Sequence, residues 1–151
     1  MIQRIQTVYL AIAVLLLIIC GCLPIGTFLP EGMGSATVMY NLCLIDGNGS
    51  WSFVTSGLFA LLAASTICSV IAIFGFNNRK VQCIDCLCGI ICLLLWMGLY
   101  ALHVTVFKPE HTEYHFGYAS LLPVFAIVLQ WMARRAIKKD EELIRSVDRI
   151  R

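Results

Sequence analysis

The chain has 151 residues, of which 60% are hydrophobic and only 13% are charged. A soluble domain of this length could not bury so much apolar surface. The composition, with a mean hydropathy of +0.85, therefore excludes an ordinary water-soluble protein and indicates that lipid is the solvent for much of the chain. The net charge is only +2, and we expect no nucleic-acid partner.

Four apolar segments dominate the chain, at approximately residues 7–29, 52–76, 81–107 and 116–136. A helix of about 20 residues, rising about 1.5 Å per residue, crosses roughly 30 Å of hydrocarbon, and each segment is long enough to do so. The sequence therefore predicts an all-α integral membrane protein, a four-transmembrane-helix bundle in a single membrane domain that covers residues 1–151. The tight inner loop at residues 77–80 makes the second and third helices antiparallel neighbours.

Lysine and arginine are distributed unevenly about these segments. If the N-terminus lies inside, every one of the 11 basic residues except Lys108 falls in a cytoplasmic segment. Because cytoplasmic loops are enriched in lysine and arginine, this distribution predicts a multi-pass protein with both its N-terminus and its C-terminus in the cytoplasm.

The longest outer loop, residues 30–51, contains a β-hairpin signal. Residues 36–45 are rich in β-forming side chains, and Asp46-Gly-Asn-Gly49 follows them. Asp-Gly and Asn-Gly are strong hairpin-turn dipeptides because these residues tolerate a positive φ. We therefore expect a short outer β-hairpin that caps the helices.

The C-terminal tail, residues 134–151, reads RRAIKKDEELIRSVDRIR. Its apolar residues lie near helical spacing and charges cover the other face, which predicts an amphipathic cytoplasmic helix continuing from the fourth segment. Four basic residues would hold that helix at an anionic leaflet, namely Arg134, Arg135, Lys138 and Lys139. The mixed charges beyond them favour a protein partner for the distal apolar face, which consists of Leu143, Ile144, Val147 and Ile150.

The two ends of the chain, MIQRIQTVYL and RRAIKKDEELIRSVDRIR, carry a resemblance. They resemble the terminal signatures of domain of unknown function 4293, an uncharacterised membrane family of Bacteroidota, and the resemblance extends over essentially the full chain. It implies a four-helix protein of the bacterial inner (cytoplasmic) membrane. It implies no activity, and no catalytic residue can be transferred from it.

Cysteines cluster in the stretch NNRKVQCIDCLCGIIC, residues 77–92, where Cys83 and Cys86 form a C-x-x-C. Such a pair could serve a small membrane thiol or quinone oxidoreductase or, with further ligands, a metal site. The pair falls at the inner, reducing face, however, and no cytoplasmic histidine could complete a zinc site. We therefore interpret these cysteines as small packing residues.

This interpretation predicts a close contact between the second and third helices. The second segment carries small residues at every fourth position, namely Ser56, Ala60, Ala64, Cys68 and Ala72. The third offers a matching thin face made of Cys88, Gly89 and Cys92. In lipid, small side chains permit the close backbone approach on which helix association depends.

Asp85 is an ionisable residue about one turn inside the inner end of the third segment. An ionisable residue in a span is a functional candidate, and a proton or ion relay is one interpretation. We favour an interfacial salt bridge to the nearby basic residues, which are Arg4, Arg79 and Lys80.

Three histidines lie toward the outer side, at His103, His111 and His115. His111 and His115 could bind a divalent metal ion if they were neighbours on a helix. Pro109 and the shortness of the loop favour a solvated turn instead, so we predict no metal site.

Together these features predict a non-catalytic accessory or scaffold protein that binds a partner through its helix faces and its basic tail. The expected partners are the lipid bilayer and either another membrane protein or a second copy of this chain. We predict no catalytic, cofactor-binding or metal-ligating residue, and no cofactor. A small membrane thiol or quinone oxidoreductase is the alternative, and a small transporter is a further one.

Overall fold

The structure is a computed structural model that describes residues 3–30, 32, 34–75, 78–106 and 111–148, with side chains from residue 5 to residue 142 within those ranges. The described part contains four long helices, namely α1 (Gln3–Cys22), α2 (Ser56–Phe74), α3 (Arg79–Thr105) and α4 (Leu122–Asp148). Each is long and apolar enough to cross a membrane, as the sequence predicted from segment length and composition.

The four helices pack as a bundle in which α1 and α3 each lie against both α2 and α4. The predicted neighbours α2 and α3 pack against each other, and where they meet the amide of Asn78 donates to the carbonyl of Gly75 at 3.2 Å. The helices enclose a common core whose fully buried members include Leu17, Leu58, Leu93, Trp96 and Ala126.

Helix α1 is shorter than the first apolar segment. It ends at Cys22, and strand β1 (Gly26–Pro30) replaces the helix that was expected to reach residue 29. Pro24 gives the physical reason, because proline lacks an amide donor and disfavours helical backbone at the preceding residue. One continuous apolar run therefore contains two elements, which hydropathy alone does not separate.

The two loops at the far end from Arg79 form a five-stranded antiparallel sheet, which is larger than the predicted hairpin. Its other strands are β2 (Thr37–Met39), β3 (Leu44–Ile45), β4 (Trp51–Ser52) and β5 (Thr112–Phe116), and the strand order is β4-β3-β2-β1-β5. The predicted hairpin corresponds to β3 and β4. Its turn is closed by the amide of Gly49, which has a φ of 79° and donates to the carbonyl of Asp46 at 2.8 Å.

Strand β5 also corrects the start of the fourth span, which was predicted at residue 116. Residues Thr112–Phe116 pair with β1, a 3₁₀ turn follows at Tyr118–Leu121, and only then does α4 begin. This pairing ties the segment after α1 to the segment after α3. We call this end of the bundle the sheet end, and we call the opposite end, where Arg79 and Lys138 lie, the basic end.

Helix α4 continues into the tail as far as Asp148, in keeping with the predicted helical extension. Ile137 and Asp140 are both buried, so the first half of the tail belongs to the bundle itself. The predicted distal apolar face lies outside the described side chains, at Leu143, Ile144, Val147 and Ile150.

Candidate functional site

The first buried polar group, which we call the central cluster, joins three helices around Gln130 of α4. The Gln130 amide nitrogen donates to the hydroxyls of Ser65 at 3.2 Å and Ser69 at 2.8 Å, both on α2. All three side chains are buried. An amide in an apolar interior is costly unless it is hydrogen-bonded, so these contacts fix α4 against α2.

Gly89 completes the central cluster from α3. A Cβ atom at this position would lie 2.9 Å from Oε1 of Gln130, so only glycine fits without a shift. Within the described atoms, that Oε1 is buried and has no hydrogen-bond partner. Of the predicted thin face of α3, Gly89 therefore contacts Gln130 of α4, whereas Cys88 lies near Cys68 of α2.

The second group, which we call the Asp140 cluster, lies at the basic end. Gln6 of α1 donates from Nε2 to Oδ2 of Asp140 at 2.5 Å. A guanidinium nitrogen of Arg79 lies 3.7 Å from the same oxygen. One carboxylate on α4 thus receives a neutral donor from α1 and a cation from α3.

Among the described side chains, the predicted salt bridge of Asp85 does not form with Arg79 or Lys80. Arg79 pairs with Asp140, Lys80 is exposed, and the side chain of Arg4 lies outside the described part. Asp85 is half-buried, and its Oδ2 is buried without a hydrogen-bond partner among the described atoms. The prediction paired Arg79 with an acidic residue close to it in sequence. In the folded bundle Arg79 faces Asp140, which is distant in sequence.

The third group lies where the helices meet the sheet. The Trp96 indole donates to Oδ1 of Asn41 at 2.9 Å, and the Asn41 amide donates to the carbonyl of Cys20 at 2.7 Å. Beside them the Tyr100 and Tyr114 hydroxyls lie 2.5 Å apart, and each is within 3.3 Å of the carbonyl of Ile25. Burial raises the pKa of the Tyr114 hydroxyl, with a smaller contribution from Tyr100, so this hydroxyl stays protonated as a donor.

The buried face of α2 differs from the predicted ladder of small residues. Its buried residues are Leu58, Leu62, Ser65, Ser69 and Ala72, whereas Ala60 is exposed and Ala64 and Cys68 are half-buried. A step of four residues advances about 40° beyond a full helical turn, so a pure four-residue ladder winds away from its neighbour. Alternating steps of four and three residues keep one face in contact.

All eight cysteines lie in the described part and all are free thiols. Cys68 of α2 lies close enough to Cys88 of α3 for their thiols to interact, and Cys88 likewise to Cys92. In the C-x-x-C, Cys86 is buried and Cys83 directs its thiol to the carbonyl of Arg134 at 3.9 Å. The two motif cysteines therefore have different surroundings.

His111 and His115 occupy a turn and a strand, not a helix, whereas His103 lies in the last turn of α3. His111 has a φ of 56° in the turn before β5, and His115 lies in β5, 4.0 Å from the carboxylate of Glu113. His103 contacts the carbonyl of Leu99 at 2.8 Å. Among the described residues, no three histidine, cysteine or acidic side chains are placed to hold a metal ion.

Most of the basic tail residues are accessible at the basic end. Lys138 and Lys139 are exposed, Arg134 is half-buried, and the Arg135 guanidinium lies 4.5 Å from the centre of the Trp131 ring. A groove of about 610 Å³ runs between α1 and α4 at this level, and we call it the α1–α4 groove. Its walls include Ile5, Tyr9, Trp131, Met132, Arg135 and Lys139.

Sequence reasoning missed the residues that tie the helices together. Gln6, Asn41, Gln82 and Gln130 are buried amides, and Gln82 donates to the carbonyl of Ala72 at 2.9 Å. The signal available in the sequence was an amide side chain inside or beside an apolar segment. In lipid such an amide costs free energy unless it forms a hydrogen bond with another helix.

Comparison with known protein families shows the family of this chain. None of the curated proteins matches the chain. The sequence profile of a family described as a domain of unknown function, DUF4293, matches residues 2–150, which include the sheet and the four helices α1 to α4. By this match over nearly its full length, the chain belongs to the DUF4293 family.

Proposed function

We propose that this protein is a non-catalytic scaffold or accessory protein of the bacterial inner membrane. It binds a partner membrane protein, or a second copy of itself, through its helix faces and its basic tail. The observation on which the proposal rests is that buried polar side chains are bonded to other parts of the bundle. Gln130, Asp140 and Asn41 each bind a different part of the bundle, so they hold helices together instead of facing a substrate path.

The outward faces of the helices support this proposal. Every helix carries large apolar side chains that are more than half exposed, for example Leu15, Ile67, Leu95 and Phe125. Such surfaces are stable against lipid chains or against another apolar helix. A rigid bundle with apolar outer faces is what an accessory subunit needs in order to pack beside a partner.

The charge distribution supports cytoplasmic termini. Basic residues from two helices collect at the basic end, namely Arg79, Lys80, Arg134, Arg135, Lys138 and Lys139. The sheet lies at the opposite end of the same bundle. By the positive-inside rule, the basic end faces the cytoplasm and the sheet faces outward.

Partner capture with a truncated tail tests the proposal. The truncation should follow Glu142, because a cut at or before Lys139 would remove Asp140 and damage the bundle. Full-length and truncated proteins carrying an N-terminal affinity tag are purified in mild detergent, and bound proteins are identified by mass spectrometry. We expect the truncated protein to melt near the full-length temperature and to lose a specific partner or self-association. If it keeps every partner, the tail only anchors α4, and the scaffold proposal fails in this form.

A thiol or quinone oxidoreductase is the second candidate, favoured by the meeting of Cys68, Cys88 and Cys92 between α2 and α3. The decisive variant replaces Cys83, Cys86, Cys88 and Cys92 by alanine. The scaffold proposal expects unchanged partner capture and no thiol-dependent quinone reduction by the original protein. Quinone reduction by the original protein that disappears in a folded variant would favour the oxidoreductase.

A further inference from the structure

We propose that the α1–α4 groove binds one anionic phospholipid. The lipid phosphate lies at Arg135 and Lys139, and the upper part of one acyl chain lies along Tyr9, Trp131 and Met132. This inference goes beyond the scaffold role and does not depend on it.

Contacts among residues of α4 fix the positively charged side of the groove. Arg135 and Lys139 are four residues apart on α4, so they lie on one face of the helix, and Trp131 lies one turn before them. The guanidinium of Arg135 lies 4.5 Å from the centre of the Trp131 ring. This cation–π contact holds the guanidinium beside the groove, where its donors can bind a phosphate in a forked geometry.

The groove changes character along its length. The hydrogen bond between Gln6 and Asp140 places the start of α1 level with the tail side of α4. Because α4 runs toward the basic end, Trp131 and Met132 lie farther from that end than Arg135 and Lys139. Trp131 is 48% exposed and Met132 is 39% exposed. A charged mouth above an apolar, partly aromatic wall matches a phospholipid at the membrane interface.

The charge at the mouth is positive despite a nearby carboxylate. Asp140 lines the groove, but its side chain is only 8% exposed and it faces Gln6 and Arg79. Arg135 and Lys139 therefore carry the accessible charge among the described lining residues. The volume of about 610 Å³ is suited to a headgroup with the first part of a chain. A membrane supplies such anionic molecules at high local concentration, and its negative surface attracts basic residues that lie near it.

The test measures quenching of tryptophan fluorescence by lipids with brominated acyl chains. Full-length protein in mild detergent is titrated with brominated phosphatidylglycerol and, separately, with brominated phosphatidylcholine, which has the same chains but no net charge. The groove variant is Arg135→Gln/Lys139→Gln. The matched control, Lys80→Gln/Lys138→Gln, removes the same charge at the same end of the bundle, outside the lining of this groove.

We expect saturable quenching by phosphatidylglycerol at concentrations about tenfold or more below those needed for phosphatidylcholine. The groove variant should weaken phosphatidylglycerol binding by about tenfold or more, and the control should stay within about twofold. Trp131→Phe should remove the quenched component of the fluorescence. If thermal melting shows that the groove variant does not fold, Lys139→Gln alone is measured in its place. This single substitution should weaken phosphatidylglycerol binding about fivefold.

Three results would each overturn the proposal. Equal weakening in the groove variant and its control would mean general attraction to anionic lipid. Quenching that persists in Trp131→Phe would place the lipid elsewhere. Competition by inorganic phosphate at millimolar concentration would mean a site for a free anion instead of a lipid.

Discussion

Gln6 of α1 donates a 2.5 Å hydrogen bond to Asp140 of α4, although 134 positions separate the two residues. The bond joins a residue near the start of the chain to one in the tail, and Arg79 brings α3 to the same carboxylate. Three of the four helices therefore meet at one acidic side chain at the basic end. The tail up to Asp140 is a structural part of the bundle and not a free appendage.

Asp140→Ala should destabilise the folded protein by about 1–3 kcal/mol, because it leaves the buried Gln6 amide without its acceptor and Arg79 without its anion. Asp140→Asn should cost less, since the new amide keeps an oxygen for Gln6. Unfolding in detergent, followed by circular dichroism, gives both values. Glu142→Ala, at an exposed position two residues on, is the control and should change stability little. Equal stability of all three variants would show that the Asp140 cluster is energetically unimportant.

Gly89→Ala should destabilise the bundle, whereas Gly98→Ala on the same helix should be neutral or stabilising. A Cβ at Gly89 meets the Gln130 amide, while a Cβ at Gly98 meets nothing within 4 Å. The Gln130 side chain could move aside, but it would give up its bonds to Ser65 and Ser69, at a cost of about 1 kcal/mol or more. Away from such a contact, replacing a helical glycine by alanine gains up to about 1 kcal/mol.

A double-mutant cycle identifies the partner of Gly89. In a Gln130→Ala background the added methyl group has no amide to clash with. Gly89→Ala should therefore lower the free energy of unfolding much less than it does in the original protein. Chemical unfolding of the four proteins of the cycle measures the coupling. An unchanged penalty in that background would mean that Gly89 is needed for a reason other than Gln130.

Asp85→Asn should leave stability unchanged or raise it slightly. The carboxylate has one buried oxygen without a partner among the described atoms. Of the two basic residues at the start of α3, Lys80 is exposed and Arg79 pairs with Asp140. Removing an incompletely satisfied charge should not cost free energy. In reconstituted liposomes we also expect no proton flux that depends on Asp85. A flux that this substitution abolishes would favour the transporter over the scaffold.

Both termini should lie on the cytoplasmic side and the sheet on the outer side. In a cysteine-free background, single cysteines at Asn48 and Glu113 should react with an impermeant maleimide once the outer membrane is opened. Both positions are exposed on the sheet end. A cysteine at Glu142, on the basic end, should react only after the inner membrane is permeabilised. Labelling at Glu142 in sealed cells would reverse the orientation.

The sequence by itself determined the number of helices, their approximate positions and the β3–β4 hairpin. These are local properties, because an apolar run of sufficient length partitions into lipid whatever its neighbours are, and the Asp46–Gly49 stretch favours a tight turn. The end of α1 was also encoded locally, in Pro24, but the apolar residues on both sides of it concealed the boundary.

Only the tertiary structure decided which faces of the helices meet. In a soluble helix the polar side marks the surface, but in lipid the outer face and the core are equally apolar, so the pattern gives little direction. The face of α2 that contains Ser65 and Ser69, the pairing of Arg79 with Asp140 and the fit of Gly89 against Gln130 all depend on residues distant in sequence. The same holds for β5, whose partner β1 lies across two helices in the chain and was recognisable only once the bundle brought their loops to one end.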